Sequence, residues 1–555
     1  PTQLLLGTHR PGGRDQVGGR SLTTPAARVV PNVPTFSVDG GFWYRIPEHL
    51  EVTVGSQVRV PLSGRRVRGW VVEVGTRPPA KLKDIAGVSG EAPVFDTAML
   101  RSLEWASIHY VAPLAVVLSK ATPPNLPRRI PKAPVHEVPE SAAHPIRVVA
   151  EASARGKRHP AIALVGPWRR LEWLAALGTA LGAGRNVAVI TATAAEAEEV
   201  SGKAMELFGD RVVLVPTEDD KAITDAWMAA QRPGSLVVGP PRLACWRMGD
   251  VGLVVVLEEG RRVMKDRQTP TIHVREMVRT RARAEGFNAV FFGPTPSVET
   301  LAAGATVVKA TRRAWAPVEI VDRSGEPPGE GLLAERVVGA LRRLGREAGD
   351  RAFILANRKL VDQVVDELNR RLGRGAAAPQ PGGVIASVGT ERDLATLDPV
   401  RLTVASTIDF MPGAAGYRGE EEAIRVLARL GNAVLSGGRM MAQTSDASSP
   451  LADALRRGDP IPYLERVLAE RARQGMPPAR EMLAVEVRGE HDPRVEEEIG
   501  RLEAVDVFGP AEIEEGRRWL LAGRLDRARP RLRELAGIWR ERGITVRIDA
   551  DPIDF

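Results

Sequence analysis

The sequence predicts an α/β protein with a small β-rich N-terminal domain, two parallel-sheet lobes in tandem and a small α+β C-terminal domain. Three observations lead there. Short β-forming runs fill residues 28–75; apolar runs separated by helix-like stretches then recur in two series from about residue 160; and the tail alternates strand-like pieces with amphipathic stretches. With 555 residues, 43% of them hydrophobic and 26% charged, the chain can bury several cores.

The start, residues 1–25, is polar and Gly-rich and reads as a disordered lead-in without the apolar stretch of a secretory signal. In the first domain, residues 26–127, Val58 and Val60 and then Val71, Val72 and Val74 mark two strands. The turn Leu62-Ser63-Gly64 and the basic cluster Arg65, Arg66 and Arg68 join them, so the hairpin presents cations that suit a phosphate backbone. From Asp96 to Leu118 the period changes: Leu100, Leu103, Trp105, Ala106 and Ile108 predict an amphipathic helix packed on this sheet. Prolines 123, 124, 127, 131, 134 and 139 then mark a linker, placed at 128–158.

The first lobe, 159–310, is expected from strands at Ala161–Val165, Asn186–Ile190, Arg211–Val215, Ser235–Val238, Gly252–Leu257 and Asn288–Phe292. The second, 311–474, follows from a like series between Arg351 and Thr444. Ligands of tandem sheets of this kind bind in the cleft between them. The tail, 475–555, carries strand-like pieces at Leu483–Val487, Val505–Phe508 and Thr545–Ile548.

Composition narrows function by exclusion. There is a single cysteine, Cys245, so no intrachain disulfide and no cysteine-based zinc site can form, and the eight histidines lack metal-ligand spacing. No apolar run is long enough to span a membrane, which points to a cytoplasmic protein. The formal charge is +8, and residues 1–160 hold 21 Lys and Arg against 12 Asp and Glu, leaving the rest near neutral. That asymmetry suits a polyanion-binding module at the N-terminus. Because 67 of the 77 basic residues are Arg, GC-rich coding accounts for the composition equally well, and charge alone leaves nucleic-acid binding open.

Ordered landmarks narrow it further. Phe42–Glu48 (F-W-Y-R-I-P-E), Val54–Pro61, Ala92–Phe95, His109-Tyr110 and Ala121–Pro124 are followed by Thr295–Thr300 (T-P-S-V-E-T) and Tyr417–Glu422 (Y-R-G-E-E-E). Gln443-Thr444, Leu468–Arg471, Gly475–Pro478, Phe508–Ala511 and Asp549–Pro552 close the series. In this order the chain resembles the PriA family of primosomal replication-restart helicases. The resemblance implies a 3′-end DNA-binding domain, two RecA-like motor lobes and a C-terminal domain that contacts branched DNA.

The catalytic positions depart from the family. Its phosphate loop ends Gly-Lys-Ser/Thr, whose amides and lysine cradle phosphates and whose hydroxyl holds magnesium. The matching stretch here is Val165-Gly166-Pro167-Trp168-Arg169-Arg170, in which Gly166 alone is kept and proline has no amide hydrogen. The family's Asp-Glu-Glu-His becomes Leu257-Glu258-Glu259-Gly260, so leucine stands where a hard cation needs a carboxylate. Aligned from Tyr417, the two arginines that would stabilise phosphoryl transfer fall on Ala433 and Ser436. The expectation is a degenerate nucleotide cleft at Gly166, Arg169, Glu258 and Glu259, with no catalytic residue, no metal ligand, no zinc module and no competent ATP–magnesium site.

DNA contacts survive better. By resemblance, Phe42 is the aromatic that stacks on a terminal base and Lys83 contacts a phosphate, while Trp43 replaces an Asp that would bind the terminal hydroxyl. Arg65, Arg66 and Arg68 add backbone contacts. A basic helix face at Arg275, Arg279, Arg281 and Arg283, and Arg517-Arg518 in the tail, are further candidates against a reading as solvated surface charge. The function expected is binding of branched or abandoned replication forks and of single-stranded DNA, with primosome assembly and reloading of the replicative helicase. The expected partners are single-stranded-DNA-binding protein and helicase-loading proteins, and the location is nucleoid-associated. The alternatives are an active ATP-dependent 3′-to-5′ helicase with an unusual nucleotide site, and a protein-binding relic without DNA affinity.

Overall fold

In the computed structural model the structure describes residues 23–78, 82–127, 130–139, 142–326, 331–344, 351–413, 416–489 and 492–553. Most of the expected lead-in, and parts of the Pro-rich linker, lie outside them.

The N-terminal sheet has six strands, β1 (Thr24–Pro31), β2 (Phe42–Arg45), β3 (Gln57–Leu62), β4 (Arg65–Arg77), β5 (Lys83–Asp84) and β6 (Gly87–Ser89), in the order β5-β2-β1-β4-β3-β6. All pairs are antiparallel except β2 with β5. The sheet curls around Ala27, Val29, Tyr44, Val58, Val60, Val71 and Ile85, and the Tyr44 hydroxyl donates to the Pro61 carbonyl at 3.2 Å. The opposite face buries Val30, Trp70 and Val72 under two helices.

One long helix was expected over Asp96–Leu118; the chain makes two, Thr97–His109 and Leu114–Ala121. Asp96 caps the first by accepting from the Met99 amide. Val111, with φ near +47°, and Pro113 end the helical path between them. The first helix also packs beyond its own domain. Tyr110 is fully buried and its hydroxyl accepts from the His273 amide, while Arg533 donates to the Ser107 and Ala112 carbonyls. This is why Ile108, expected inside, is half-exposed: the helix offers its apolar stripe to three neighbours and Ile108 falls outside it.

The next sheet is parallel throughout and contains β7 (Ile162–Val165), β8 (Asn186–Ile190), β9 (Val212–Leu214), β10 (Leu236–Gly239), β11 (Val251–Leu257), β12 (Asn288–Gly293) and β13 (Thr306–Lys309), in the order β13-β7-β12-β11-β8-β10-β9. Its inner strands are almost wholly buried runs, as a sheet covered on both faces requires. The end of the Pro-rich segment contributes a helix, Arg147–Ala154, whose Val149 and Ala150 enter this core.

A second parallel sheet follows: β14 (Val318–Asp322), β15 (Ala352–Leu355), β16 (Ala377–Pro379), β17 (Ala386–Gly389), β18 (Val400–Ala405) and β19 (Val434–Thr444), ordered β14-β19-β18-β15-β17-β16. The C-terminal sheet, β20 (Glu481–Arg488), β21 (Val505–Ile513), β22 (Gly516–Gly523) and β23 (Thr545–Ala550), is antiparallel and backed by the helix Leu525–Glu541. It returns to the N-terminus: His109 Nε2 lies 2.8 Å from Asp551 Oδ2, and Lys265 donates to the Ala550 and Asp551 carbonyls. The two ends of the chain therefore dock together against the first lobe. Among the described residues no helix is long and apolar enough to cross a membrane.

Candidate nucleic-acid interface and interlobe cleft

The N-terminal surface follows from strand alternation. Tyr44 turns into the sheet core, so Trp43 and Arg45 turn the other way and Phe42 shares Tyr44's side. Phe42 sits at the sheet margin, 41% exposed. In the parallel β2–β5 pair Lys83 lies beside Tyr44, which puts Lys83 on Phe42's side, while Asp84 lies beside Arg45 and binds it with two hydrogen bonds of 2.6 and 2.8 Å. The structure thus places Phe42 with Lys83 and turns Trp43 to the other face. The Trp43 ring is already covered, with the Arg77 guanidinium 3.6 Å from its centre. Arg65, Arg66 and Arg68 are exposed at the start of β4, and alternation sends Arg66 and Arg68 to one face and Arg65 to the other.

The other predicted cations behave differently. Arg275 and Arg281 are buried, not displayed. Arg275 pairs with Glu276 at 2.9 Å and Glu299 at 3.5 Å; Arg281 pairs with Glu285 at 2.6 Å and donates to the Ala244 carbonyl. Neither a DNA-lining nor a solvated helix face describes them. In the tail, Arg518 pairs with Glu486 at 2.7 Å beside the buried Trp519.

The cleft lies at the C-terminal ends of β7 and β11. After β7 the chain turns through Gly166, whose amide donates to the Gly293 carbonyl; a Cβ there would stand 2.8 Å from the Ala310 methyl. Trp168 then folds into the turn, 2% exposed, and its indole donates to Glu258 Oε1 at 2.7 Å. Its own carbonyl accepts from the Trp173 indole at 2.7 Å. A short 3-10 segment, Leu171–Leu177, follows, so no long helix points its first amides at the turn. Arg169 crosses the cleft and donates to the Ala395 carbonyl of the second lobe at 2.8 Å.

Glu258 follows β11 in a left-handed conformation (φ +49°) and is buried. Arg429, on the second-lobe helix Gly419–Asn432, reaches Glu258 Oε2 at 3.3 Å, and Arg261 lies at 3.6 Å. These are Coulombic contacts, because that oxygen accepts no hydrogen bond. Burial raises the Glu258 pKa, but the charges of Arg429 and Arg261 and the Trp168 indole outweigh it and hold the carboxyl below its ordinary value. Glu259 points away, accepting from the Ser297 amide and the Thr300 hydroxyl, and burial pushes its pKa up. The four predicted cleft residues are thus split: Gly166, Arg169 and Glu258 meet in one place, and Glu259 braces the 295–300 segment.

Two residues of this cleft were missed by reading the sequence. Arg425 and Arg429 stand four apart on one helix face. Arg429 reaches Glu391 at 3.4 Å, and Arg425 pairs with Glu422 and lies 3.6 Å from Glu391. Alignment from Tyr417 pointed instead to Ala433, which caps this helix and lines the cleft without a charge, and Ser436, which is exposed. The i, i+4 spacing of two arginines inside an apolar helix was the available signal. A second cross-lobe contact joins Arg418 to Glu299 and Glu421, with Arg471 2.8 Å from Glu421. The space left between the lobes is about 430 Å³, walled by Pro167, Trp168 and Arg169 on one side and Leu397, Arg429 and Ala433 on the other.

Together these features define a multidomain α/β protein in which a β-rich N-terminal domain precedes two parallel-sheet lobes. Residues 28–123 match the 3′ DNA-binding domain (3′BD) of PriA. Among solved structures the chain is similar to Saccharomyces cerevisiae Dbp5 bound to RNA and ADP BeF3, at 12% identity over 59% of this chain and 93% of that one, with a TM-score of 0.36. A point variant of Dbp5 with the same ligands matches at 12% identity over 56% and 88%, TM-score 0.33. The DUF1998 helicase MrfA bound to DNA matches at 12% identity over 60% and 52%, TM-score 0.34. At these values the fold rests on the strand order above.

Proposed function

We propose that this chain recognises forked DNA by geometry and by a strand end, and serves replication restart as a binding and scaffold protein that does not hydrolyse ATP. The observation that carries the reading is the buried contact of Trp168 with Glu258. A hydrolase needs an open phosphate turn and a free acidic residue beside the metal. Here the turn holds an indole, Pro167 offers no amide hydrogen, and Leu257 stands at the metal-ligand position. Arg429 is spent on Glu258 and Glu391. The lobes then act as a frame joining the N-terminal DNA surface to the C-terminal domain, which the contacts of His109 with Asp551 and of Arg533 with the 107–112 turn support.

On the DNA side, Phe42 stacks on the terminal base and Lys83 meets its phosphate. With Trp43 turned to the other face under Arg77, the terminal hydroxyl goes unread and the end is recognised by shape and charge. Helicase-loading proteins and single-stranded-DNA-binding protein are the partners this role calls for. One observation favours the second reading, an active helicase: Arg429 enters the cleft from the second lobe, where a motor places charge-stabilising arginines.

The test is binding of the full chain to fluorescent forks with a leading-strand 3′ end at the branch, compared with linear duplex of the same length. Tighter binding to the fork, reduced by Phe42→Ala, supports the reading. Equal affinity for both, or no binding to either, defeats it.

A further inference from the structure

The β3–β4 hairpin carries four exposed arginines, Arg59, Arg65, Arg66 and Arg68. Their placement is fixed by register. Arg59 lies directly opposite Arg68, and Pro61 opposite Arg66. Val58, Val60 and Val67 face the sheet core, so Arg59, Arg66 and Arg68 share the outward face. Trp70 and Val72 continue that face and are buried under the helices, so the arginines begin where the helical cover ends.

Like charges directly opposite each other on a sheet repel. Among the described residues none of the four makes a side-chain hydrogen bond or ion pair. The buried arginines Arg261, Arg275, Arg281 and Arg471, by contrast, are committed to carboxylates. A face of opposed, unpaired arginines is complete only with a polyanion against it.

We propose that Arg59, Arg66 and Arg68 form a backbone-binding face for duplex DNA, separate from the strand-end surface of Phe42 and Lys83. The proposal rests on the DNA-binding reading above and extends it to a second contact. The exposed end of the hairpin has no aromatic ring, its turn being Pro61, Leu62, Ser63 and Gly64 and Trp70 lying buried under the helices, so it offers no stacking platform of the kind single strands need. Arg66 and Arg68, two residues apart, stand about 6.7 Å from each other along the strand, with Arg59 beside them, a row suited to successive phosphates. Through β1, Phe42 is level with Val71, so Arg68 and Arg66 lie two strands over and three and five residues further along, about 14–19 Å away and on the opposite face of the sheet, which keeps the two contacts separate.

The test measures binding of the full chain by anisotropy over a range of salt concentrations. The probes are a dumbbell duplex with both ends closed, a single-stranded oligonucleotide and the fork. R59Q/R66Q/R68Q should weaken dumbbell binding and lower the slope of log affinity against log salt by about 2–3, near 0.9 per lost phosphate contact. R59K/R66K/R68K should keep the slope, which separates charge from folding. If the glutamine variant keeps the parent slope on the dumbbell while the parent still prefers forks, the inference fails and the functional reading stands. Failure of the parent to bind forks defeats that reading instead. Loss confined to the single-stranded probe assigns the face to single-stranded DNA and overturns the proposal.

Discussion

Replacing Arg429 with Met removes the main charge that the second lobe presents to Glu258. Arg429 is 8% exposed and Glu258 6%, so neither can recover its lost partner from water. Removing one member of a buried ion pair costs about 3–5 kcal/mol, mostly from the charge left behind. Glu258 keeps Arg261 at 3.6 Å and the Trp168 indole at 2.7 Å, which favours the lower end, about 3 kcal/mol. For a domain of 150–250 residues, 1 kcal/mol moves the midpoint by about 2–4 °C, so Arg429→Met should lower the lobes' transition by about 6–12 °C in a calorimetric scan. Glu258→Gln in the same chain should restore part of the loss, because the orphaned charge is gone. The dependence on pH has a definite sign. The Glu258 carboxyl is held below its ordinary value, so the pair's contribution is complete above about pH 4.3 and fades only as pH falls through the lower, folded-state pKa. The penalty of Arg429→Met should therefore be constant from pH 6 to 8 and shrink in acid. A midpoint within 1 °C of the parent, or a double variant no better than the single one, would refute a buried interlobe pair.

Three further outcomes follow from the same geometry. Trp168→Ala should destabilise the first lobe by about 3–5 kcal/mol, as loss of a buried aromatic does, seen as a lower denaturant midpoint, and should not create phosphate release. Arg77→Ala should uncover the Trp43 ring at a cost of about 0.5–1 kcal/mol, read as increased quenching of tryptophan fluorescence by acrylamide. Asp551→Asn should loosen the junction of the chain ends, read as faster amide exchange in Thr545–Ala550 and Thr97–His109. His109 is the main partner holding the Asp551 carboxyl far below its ordinary value against burial, so that stabilisation is present above about pH 3.9 and lost in acid.

The fold class was legible because its signals are local. Buried parallel strands announce themselves as apolar runs, and those at Asn186–Ile190 and Asn288–Gly293 fall where the runs are. Tertiary packing was not legible. The split at Val111–Pro113 leaves the apolar periodicity unbroken, and its one local signal is Pro113. Arg275 and Arg281 read as surface charge because their partners Glu299 and Glu285 are matched to them only by the fold. The N-terminal surface was half legible: residue identities marked Phe42, Lys83 and the hairpin arginines, but strand alternation decides that Trp43 leaves Phe42's side. Arg59 escaped notice because it stands alone in sequence and meets Arg68 only through register. In the cleft, the missing lysine and aspartate could be read as losses, whereas the occupation of the turn by Trp168 and the arrival of Arg429 required the two lobes to be brought together.

The central claim is that fork recognition has been retained without ATP turnover. It is tested most directly by following phosphate release from ATP and magnesium while the protein is titrated with forks carrying a 3′ end at the branch. The account predicts saturable fork binding with release no faster than in protein-free controls, unchanged by Glu258→Gln. Release stimulated by the fork and abolished by Glu258→Gln would contradict it and make the lobes a working motor.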